Sequence, residues 1–538
     1  MRRWKLLTLL ALAGSLVVAA PALAVSSLDV QANNPQVAGD PTSNTTARFP
    51  TNKSNEPSIA VNPTNASLLI AGANDEQREP PCGPGPVRGA DAARNDCSFF
   101  PNIGSDGVYT SSDGGATWVN RGLLPGFSDS GGRLVSDGDP FIVYGPKPAK
   151  SGGFSYKQGA RAYYAGIASY AVGQEQGNQA PEFVTVSASD DNGKTWSNPV
   201  VAVDGRGHDF NDHESIWADD NPSSPFFGRV YIAWADFRSV AETASPIEVT
   251  YSADGGKTWA APDQISVSHN NAAIGGRQDA YVRSGPDGTV YVIWDDGDKN
   301  GAKMVISTSS DGGVTWTHSS TIAYFDNLRD PIPGANFRDA SYPTLAVDPT
   351  SGALYVAWAD ELGGLSARIV VARSTDHGMT WSAPVPVTSA AEGYAFFQGL
   401  DVATNGRVDL GYQALKAKST ATYGTGNATI DSYYVSSTDG GRSWSGPAKV
   451  NSVSSDPAAS SQNNLERQFW GDYNTIVSSN ANAWFIYTDS RNGVGCAAVD
   501  AYQHGIDGSG PAVAKPAPED VCPAQFGNSD TFVSTITP

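Results

Sequence analysis

Ser309-Ser-Asp-Gly-Gly-Val-Thr-Trp316 is the stretch that decides the fold. A glycine supplies the positive φ that a tight turn needs. The aspartate accepts backbone N–H bonds and holds the turn locally. Trp316 then opens a strand and buries its ring between neighbours. The same pattern, Ser-x-Asp-x-Gly-x-Thr/Ser-Trp, stands at 111–118, 189–196, 252–259, 374–381 and 437–444. Six matches to five fixed positions make a repeat. Residues that recur in every unit staple a hairpin, so they read as structural and not as catalytic.

Each octapeptide sits at a fixed place in a longer unit. The unit holding 374–381 has strands near Pro343–Val347, Ala353–Trp358 and Arg368–Arg373, and a fourth that begins at Trp381 and includes Val385–Val387. Four short strands per repeat predict a propeller blade. Units begin near Glu56, Asp139, Glu214, Asp279, Tyr342, Gly399 and Asp472, which makes seven, one more than the octapeptides. The seventh has strands at 473–478, 483–488 and 531–535, and the sequence stops where its octapeptide would start. Leu28–Asn33 resembles Ala448–Asn451, the fourth strand of unit six, and residues 26–34 are predicted to supply the missing strand. The expected fold is all-β: a seven-bladed propeller of four-stranded blades, closed by the N-terminal strand, with 25–538 as one domain and six blades as the alternative count. Closure removes the free sheet edges that an open array would leave.

The ends and the composition narrow the setting. A basic start, Met1 to Lys5, an apolar run, Leu6 to Ala20, and Ala22-Leu23-Ala24 read as a secretory leader cut near Ala24. The Arg2-Arg3 pair raises a twin-arginine route, which its surroundings fit poorly. No later stretch approaches the ~20 apolar residues of a membrane span. With 35 basic and 55 acidic residues, net −20, the chain is a poor partner for nucleic acid or anionic membranes. Four cysteines in an exported chain read as disulfides. Proximity favours Cys82–Cys97 and Cys496–Cys522, and the other two pairings stay open.

The octapeptides, the Tyr-x-Ala-Trp-x-Asp second strands (231–236 and 355–360), Gly471-Asp472-Tyr473 and Thr488-Asp489-Ser490-Arg491 resemble the sialidase superfamily of secreted bacterial Asp-box, or BNR-repeat, proteins. The resemblance covers nearly the whole mature chain. It implies a propeller and glycan chemistry. Sialidases of this kind have six blades, an arginine triad for the substrate carboxylate, a Tyr nucleophile paired with Glu, and an Asp acid. Their first arginine opens blade one in an Arg-Ile-Pro motif. Here Asn55 stands at that place, before Pro57, while Arg48-Phe49-Pro50 lies several residues too early. The triad is therefore not carried over as a set.

Propeller geometry locates a site before any motif does. Starts of first strands and ends of second strands share one face, and the octapeptides lie on the other. On the first face the starting residues Glu56, Asp139, Glu214, Asp279 and Asp472 form one acidic column, and Asp75, Asp236, Asp295, Asp360 and Asp489 form a second. Such carboxylates cap strand ends and bond loop N–H groups. Alternatively they hold Ca²⁺, at Glu56, Asp139, Glu214, Asp279 and Asp472, or hydrolyse a glycoside. Residues that break the repeat are the better functional candidates. Arg277, Arg338 and Arg467 precede first strands and suit a substrate carboxylate or neutralise the ring. His208, Asp212 and His213 precede unit three, where a His pair is more often a loop element than a metal site. Tyr342 replaces an acid, and Trp470 and Tyr473 flank Asp472. The loops 75–108 and 489–532, each with two cysteines, should stand side by side over the channel as flaps or brace the seam of the ring.

Two functions follow. The first is a hydrolase with Asp279 or Glu214 as acid, Tyr473 or Tyr342 beside a carboxylate such as Asp472 as nucleophile, and Arg277, Arg338, Arg467, Asp139, Glu56 and Trp470 binding substrate. The second is a non-catalytic propeller that holds a glycan or a protein. A carbohydrate or glycoconjugate is the expected partner. The chain is expected to be a monomer, with no nucleic acid and no membrane insertion, and no cofactor beyond a structural Ca²⁺.

Overall fold

The computed structural model describes residues 25–33, 49–77, 105–128, 131–150, 152–171, 181–205, 209–238, 244–269, 277–298, 301–362 and 365–538. Residues 1–24 (the expected leader), Cys82, Cys97, His208 and most of the 75–108 loop lie outside them.

Seven four-stranded antiparallel sheets form the ring. Their first strands are Ser54–Val61, Leu134–Pro148, Phe210–Ala218, Arg277–Ser284, Thr344–Val347, Tyr394–Val402 and Thr475–Ser478. In six blades the strands follow in chain order from first to fourth. In the seventh, Ser26–Gln31 takes the outer place against Asp530–Thr537, pairing Ser26 with Thr537 through to Gln31 with Phe532. The seam is further tied by Asn33, whose Nδ2 donates to Asp530 Oδ1 at 3.0 Å.

Both faces of each sheet pack against a neighbouring blade, so the second strands are apolar on both sides. Trp234, Trp294, Trp358 and Trp484 are fully buried in them. Where sheets approach closest, a glycine makes room. A Cβ on Gly72 would lie 2.6 Å from Tyr164 of the next blade, and one on Gly411 would lie 2.4 Å from Phe485.

The six octapeptides repeat one hydrogen-bond pattern. At 309–316, Ser309 Oγ accepts from Gly313 N at 2.8 Å, and Asp311 accepts from Thr315 N at 2.9 Å and Thr315 Oγ1 at 2.6 Å. These donors favour the carboxylate form and hold Asp311 down at about 2.

The loop after Ala483–Asp489 carries the helices Ala497–Asp507 and Pro518–Val521, and a Cys496–Cys522 disulfide closes it. It packs on Phe49, Leu465 and Phe526. No helix among the described residues is long and apolar enough to cross a membrane.

Candidate functional site

The first strands do not start cleanly. Pairing with the second strand breaks between Asn55 and Ser58, Gly138 and Phe141, Asp212 and Ser215, Gln278 and Tyr281, and Phe396 and Gly399. Each break is a two-residue bulge of the kind that re-aims side chains. Its first residue is left-handed: Glu56 (φ 51°), Asp139 (55°), His213 (49°), Asp279 (54°) and Phe397 (49°). That conformation costs a residue with a Cβ about 1–2 kcal/mol, and such strain gathers at functional sites.

This register corrects the sequence alignment in two blades, and the same spacing places Tyr473, not Asp472, at that position in blade seven. His213, and not Glu214, is the equivalent of Glu56, Asp139 and Asp279. Phe397, and not Gly399, holds that place in blade six. A signal for this was present in the sequence. Counting three residues back from the buried aliphatic of each first strand (Ile59, Ile142, Ile216, Val282, Leu345, Leu400, Ile476) gives Glu56, Asp139, His213, Asp279, Tyr342, Phe397 and Tyr473.

His213 is the hub. Its Nδ1 lies 3.3 Å from Asp279 Oδ1 and its Nε2 lies 3.3 Å from Asp472 Oδ2. The edge of its ring meets Tyr342 at 4.8 Å between centroids, with Tyr473 at 6.2 Å. Burial opposes a charge on the imidazole. Asp212, Asp279 and Asp472 outweigh it and raise the histidine well above its ordinary value, so it donates from both nitrogens. Arg338 reaches across from the loop before blade five. Its Nε donates to Asp472 Oδ1 at 2.8 Å, its Nη2 bonds Asp472 Oδ2, and its guanidinium lies 5.3 Å over Phe469. Burial alone would raise Asp472, but Arg338 and His213 hold it well below the carboxylate range.

The other acids behave in the opposite way. Burial, then the charges of Asp139 and Asp472, raise Glu56, whose Oε2 accepts from Asn74 at 2.6 Å. Asp139 is pushed up to about 7 by burial and then by Asp212. Burial raises Asp279 despite His213. Glu214 is raised by burial and then Asp139, and Asp106 by burial and then Asp137. Among the described residues, both carboxylate oxygens of Glu214, and both of Asp106, are buried without a hydrogen-bond partner. Ligand atoms of Asp139, Asp212 and His213 lie within 4.8 Å of one another, a cluster able to chelate a metal ion.

The site thus has two tiers. Glu56, His213, Glu214 and Asp472 are buried, whereas Asp139, Asp212, Asp279, Tyr342 and Tyr473 are partly open and Arg338 is exposed. A cavity of about 30 Å³, room for about one water, lies beneath, between His213, Asp279, Tyr342 and Tyr473. Tyr473 donates to Pro140 O at 3.2 Å and Tyr342 to Gln278 Oε1 at 3.4 Å. Burial raises both phenols further, so each is neutral until a base takes its proton.

The three arginines stay apart. Arg277 is buried against Asp296, with Nε 3.3 Å from Oδ1, and Arg467 bonds Asp330. Only Arg338 joins the hub. Trp470 lies in the core, stacked on Phe337 at 5.9 Å with its Nε1 bonded to Gln413 at 2.8 Å, and offers no face to the channel. Of the second acidic column, Asp360 and Asp489 are bound by Arg368 and Arg491, Asp236 is held by Arg238, and Tyr109 donates to Asp75 at 2.6 Å. Asp295 accepts from Gln278 N at 2.9 Å.

No family model matches the chain. A sialidase from Micromonospora viridifaciens is 27% identical over 225 residues, covering 38% of this chain and 32% of that protein. The chain thus spans about a third of the length of the curated relative it matches. Among solved structures, a protein of unknown function from Dyadobacter fermentans is 15% identical with a TM-score of 0.40, covering 73% of this chain and 93% of that one. A point mutant of the NanB sialidase of Streptococcus pneumoniae is 11% identical with a TM-score of 0.41, covering 70% and 66%.

Proposed function

We propose that this chain is an exported, sialidase-like Asp-box propeller that recognises a glycan on its carboxylate face and hydrolyses a glycosidic bond there. The observation that carries the reading is the row of left-handed, non-glycine residues Glu56, Asp139, His213 and Asp279, which turns carboxylates and an imidazole toward one channel mouth. Asp279 is the acid: it is more open than Glu214 and its raised value keeps a proton available. Tyr473 is the nucleophile. Asp139, at about 7, is matched to take the phenol proton near neutral pH. The phenolate attacks the anomeric carbon as the bond to the leaving oxygen breaks and Asp279 protonates that oxygen; water then releases the sugar. His213 and Arg338 position Asp279 and Asp472.

The test is turnover of a panel of aryl glycosides that includes sialosides. Asp279→Asn should lower kcat by at least about 100-fold with folding intact. No turnover of any substrate by the folded protein overturns the hydrolase. One observation favours a second reading, binding without turnover: Arg338 is already engaged by Asp472 and is not free for a substrate carboxylate. Retention on a glycan array without hydrolysis is its outcome.

A structural Ca²⁺ on the same face is the alternative to the base role of Asp139, because a bound cation favours its ionised form. Both ring nitrogens of His213 are taken by carboxylates, which leaves Asp139 and Asp212, with the partnerless oxygens of Asp106 and Glu214 beside them. An all-oxygen donor set suits Ca²⁺. Metal-free elemental analysis, together with a Tm unmoved by chelator, refutes it. The leader at 1–24 supports export, which N-terminal sequencing of protein recovered from the medium checks.

A further inference from the structure

The axial channel is wider at its other end. On the octapeptide face it opens into a funnel of about 380 Å³ to which all seven first strands contribute. That volume lies within the span of small-molecule sites, and nothing in the reading of the opposite face uses it.

Most of the wall is backbone and apolar side chain, but one sector is built differently. Arg283 lies with its guanidinium 4.4 Å from the ring centroids of both Trp217 and Tyr281, and 5.8 Å from that of Phe141. Its Nη1 donates to Val282 O at 2.8 Å and its Nη2 to Tyr281 Oη at 2.9 Å. A guanidinium has five N–H donors, so three remain, and among the described residues no carboxylate lies within ion-pair distance. The aromatic cage fixes the guanidinium without consuming those donors. Asp401, from blade six, and Asp220, beyond the first strand of blade three, also line the funnel. Asp401 accepts from Ser478 N at 2.7 Å through one of its two oxygens.

We infer that this funnel binds a neutral sugar ring. Fixed spare donors on Arg283 face acceptors on Asp401 and Asp220, with aromatic surface beside them. Hydroxyl groups both give and accept hydrogen bonds, so a polyol satisfies both sides at once. A simple anion would meet two carboxylates, and a simple cation would meet Arg283. The inference does not depend on hydrolysis at the carboxylate face.

Saturation-transfer NMR with D-glucose, D-galactose and N-acetyl-D-glucosamine at millimolar concentration tests it. At least one sugar should receive saturation from the protein. Arg283→Met and Asp401→Asn should each weaken its Kd by about tenfold or more, because each removes a charge-assisted hydrogen bond. Asp279→Asn, on the other face, should leave the Kd unchanged. Asp401→Asn keeps the test decisive if Arg283→Met fails to fold. The inference is overturned if no sugar is saturated, if binding survives Asp401→Asn at full strength, or if only Asp279→Asn weakens it. That last result would place the sugar on the carboxylate face alone.

Discussion

The two faces of this ring use the same residue type in opposite ways. On the octapeptide face, aspartates 113, 191, 254, 311, 376 and 439 each accept bonds from their own turn, and each is held below its ordinary value. Their turns use the left-handed region mainly at glycine, where it costs little. On the carboxylate face the left-handed positions are Glu56, Asp139, His213, Asp279 and Phe397, and the three acids among them are raised above their ordinary values. One face satisfies its aspartates within their own turns. The other is held in place only by the assembled ring. Repetition marks stability here, and departure from the repeat marks the strained, charged mouth.

The sharpest way to break this contrast is at its hub. His213→Asn keeps a residue that tolerates the left-handed region but strands Asp279 and leaves Asp472 to Arg338 alone. Removing one partner from a buried charge cluster should cost about 3–5 kcal/mol, read by urea denaturation. A loss below about 1 kcal/mol would mean the imidazolium does not hold the hub. Next come paired glycine exchanges. Asp139→Gly relieves strain and should stabilise by about 1 kcal/mol while abolishing turnover. Gly313→Ala, at φ 86° and with its new Cβ 3.3 Å from Tyr231, should destabilise by about 1–2 kcal/mol. Equal signs for the two would erase the distinction between faces. Asp254→Ala, which loses the bonds from Thr258 N and Oγ1, should cost about 1 kcal/mol in a single turn and leave glycan binding untouched.

The remaining effects are in pH, and their signs differ. Asp311 sits at about 2 when folded, below its unfolded value, so the native state binds fewer protons. Its contribution is present above about pH 4 and is lost as pH falls towards 2. Asp75, at the end of a second strand, is pushed up to about 7 by burial. The native state there binds more protons, so stability falls as pH rises from about 4 to 7. Asp311→Asn should flatten the acid limb of the stability curve, and Asp75→Asn the slope between pH 4 and 7. Denaturant midpoints measured across pH separate the two.

The ring itself was legible from Ser309 to Trp316 and its five copies, because a local turn needs only neighbours in sequence. The closing strand was legible for a related reason: Leu28 to Asn33 repeats the spacing of an earlier fourth strand. The mouth was less so. A two-residue bulge shifts the column without changing composition, and this is why Glu214 stood in for His213. The contacts that organise the site join residues 134 and 259 positions apart. No repeat spacing encodes which arginine bends inward, so Arg338 could not be told from Arg277 or Arg467. Trp470, two residues before Asp472, reads as poised for a sugar, yet two residues along a turn are enough to send a ring into the core.

The seam has a mechanical consequence. Ser26 pairs with Thr537 and Gln31 with Phe532, so the two ends of the described chain leave the sheet side by side, at the same end of an antiparallel pair. Tension applied between them loads the rungs one after another, as in a zipper, and does not shear all six residue pairs together. The ring should therefore open at low force and at one defined place, while each of the other six blades, built from strands consecutive in the chain, keeps its shape until the last blade has let go.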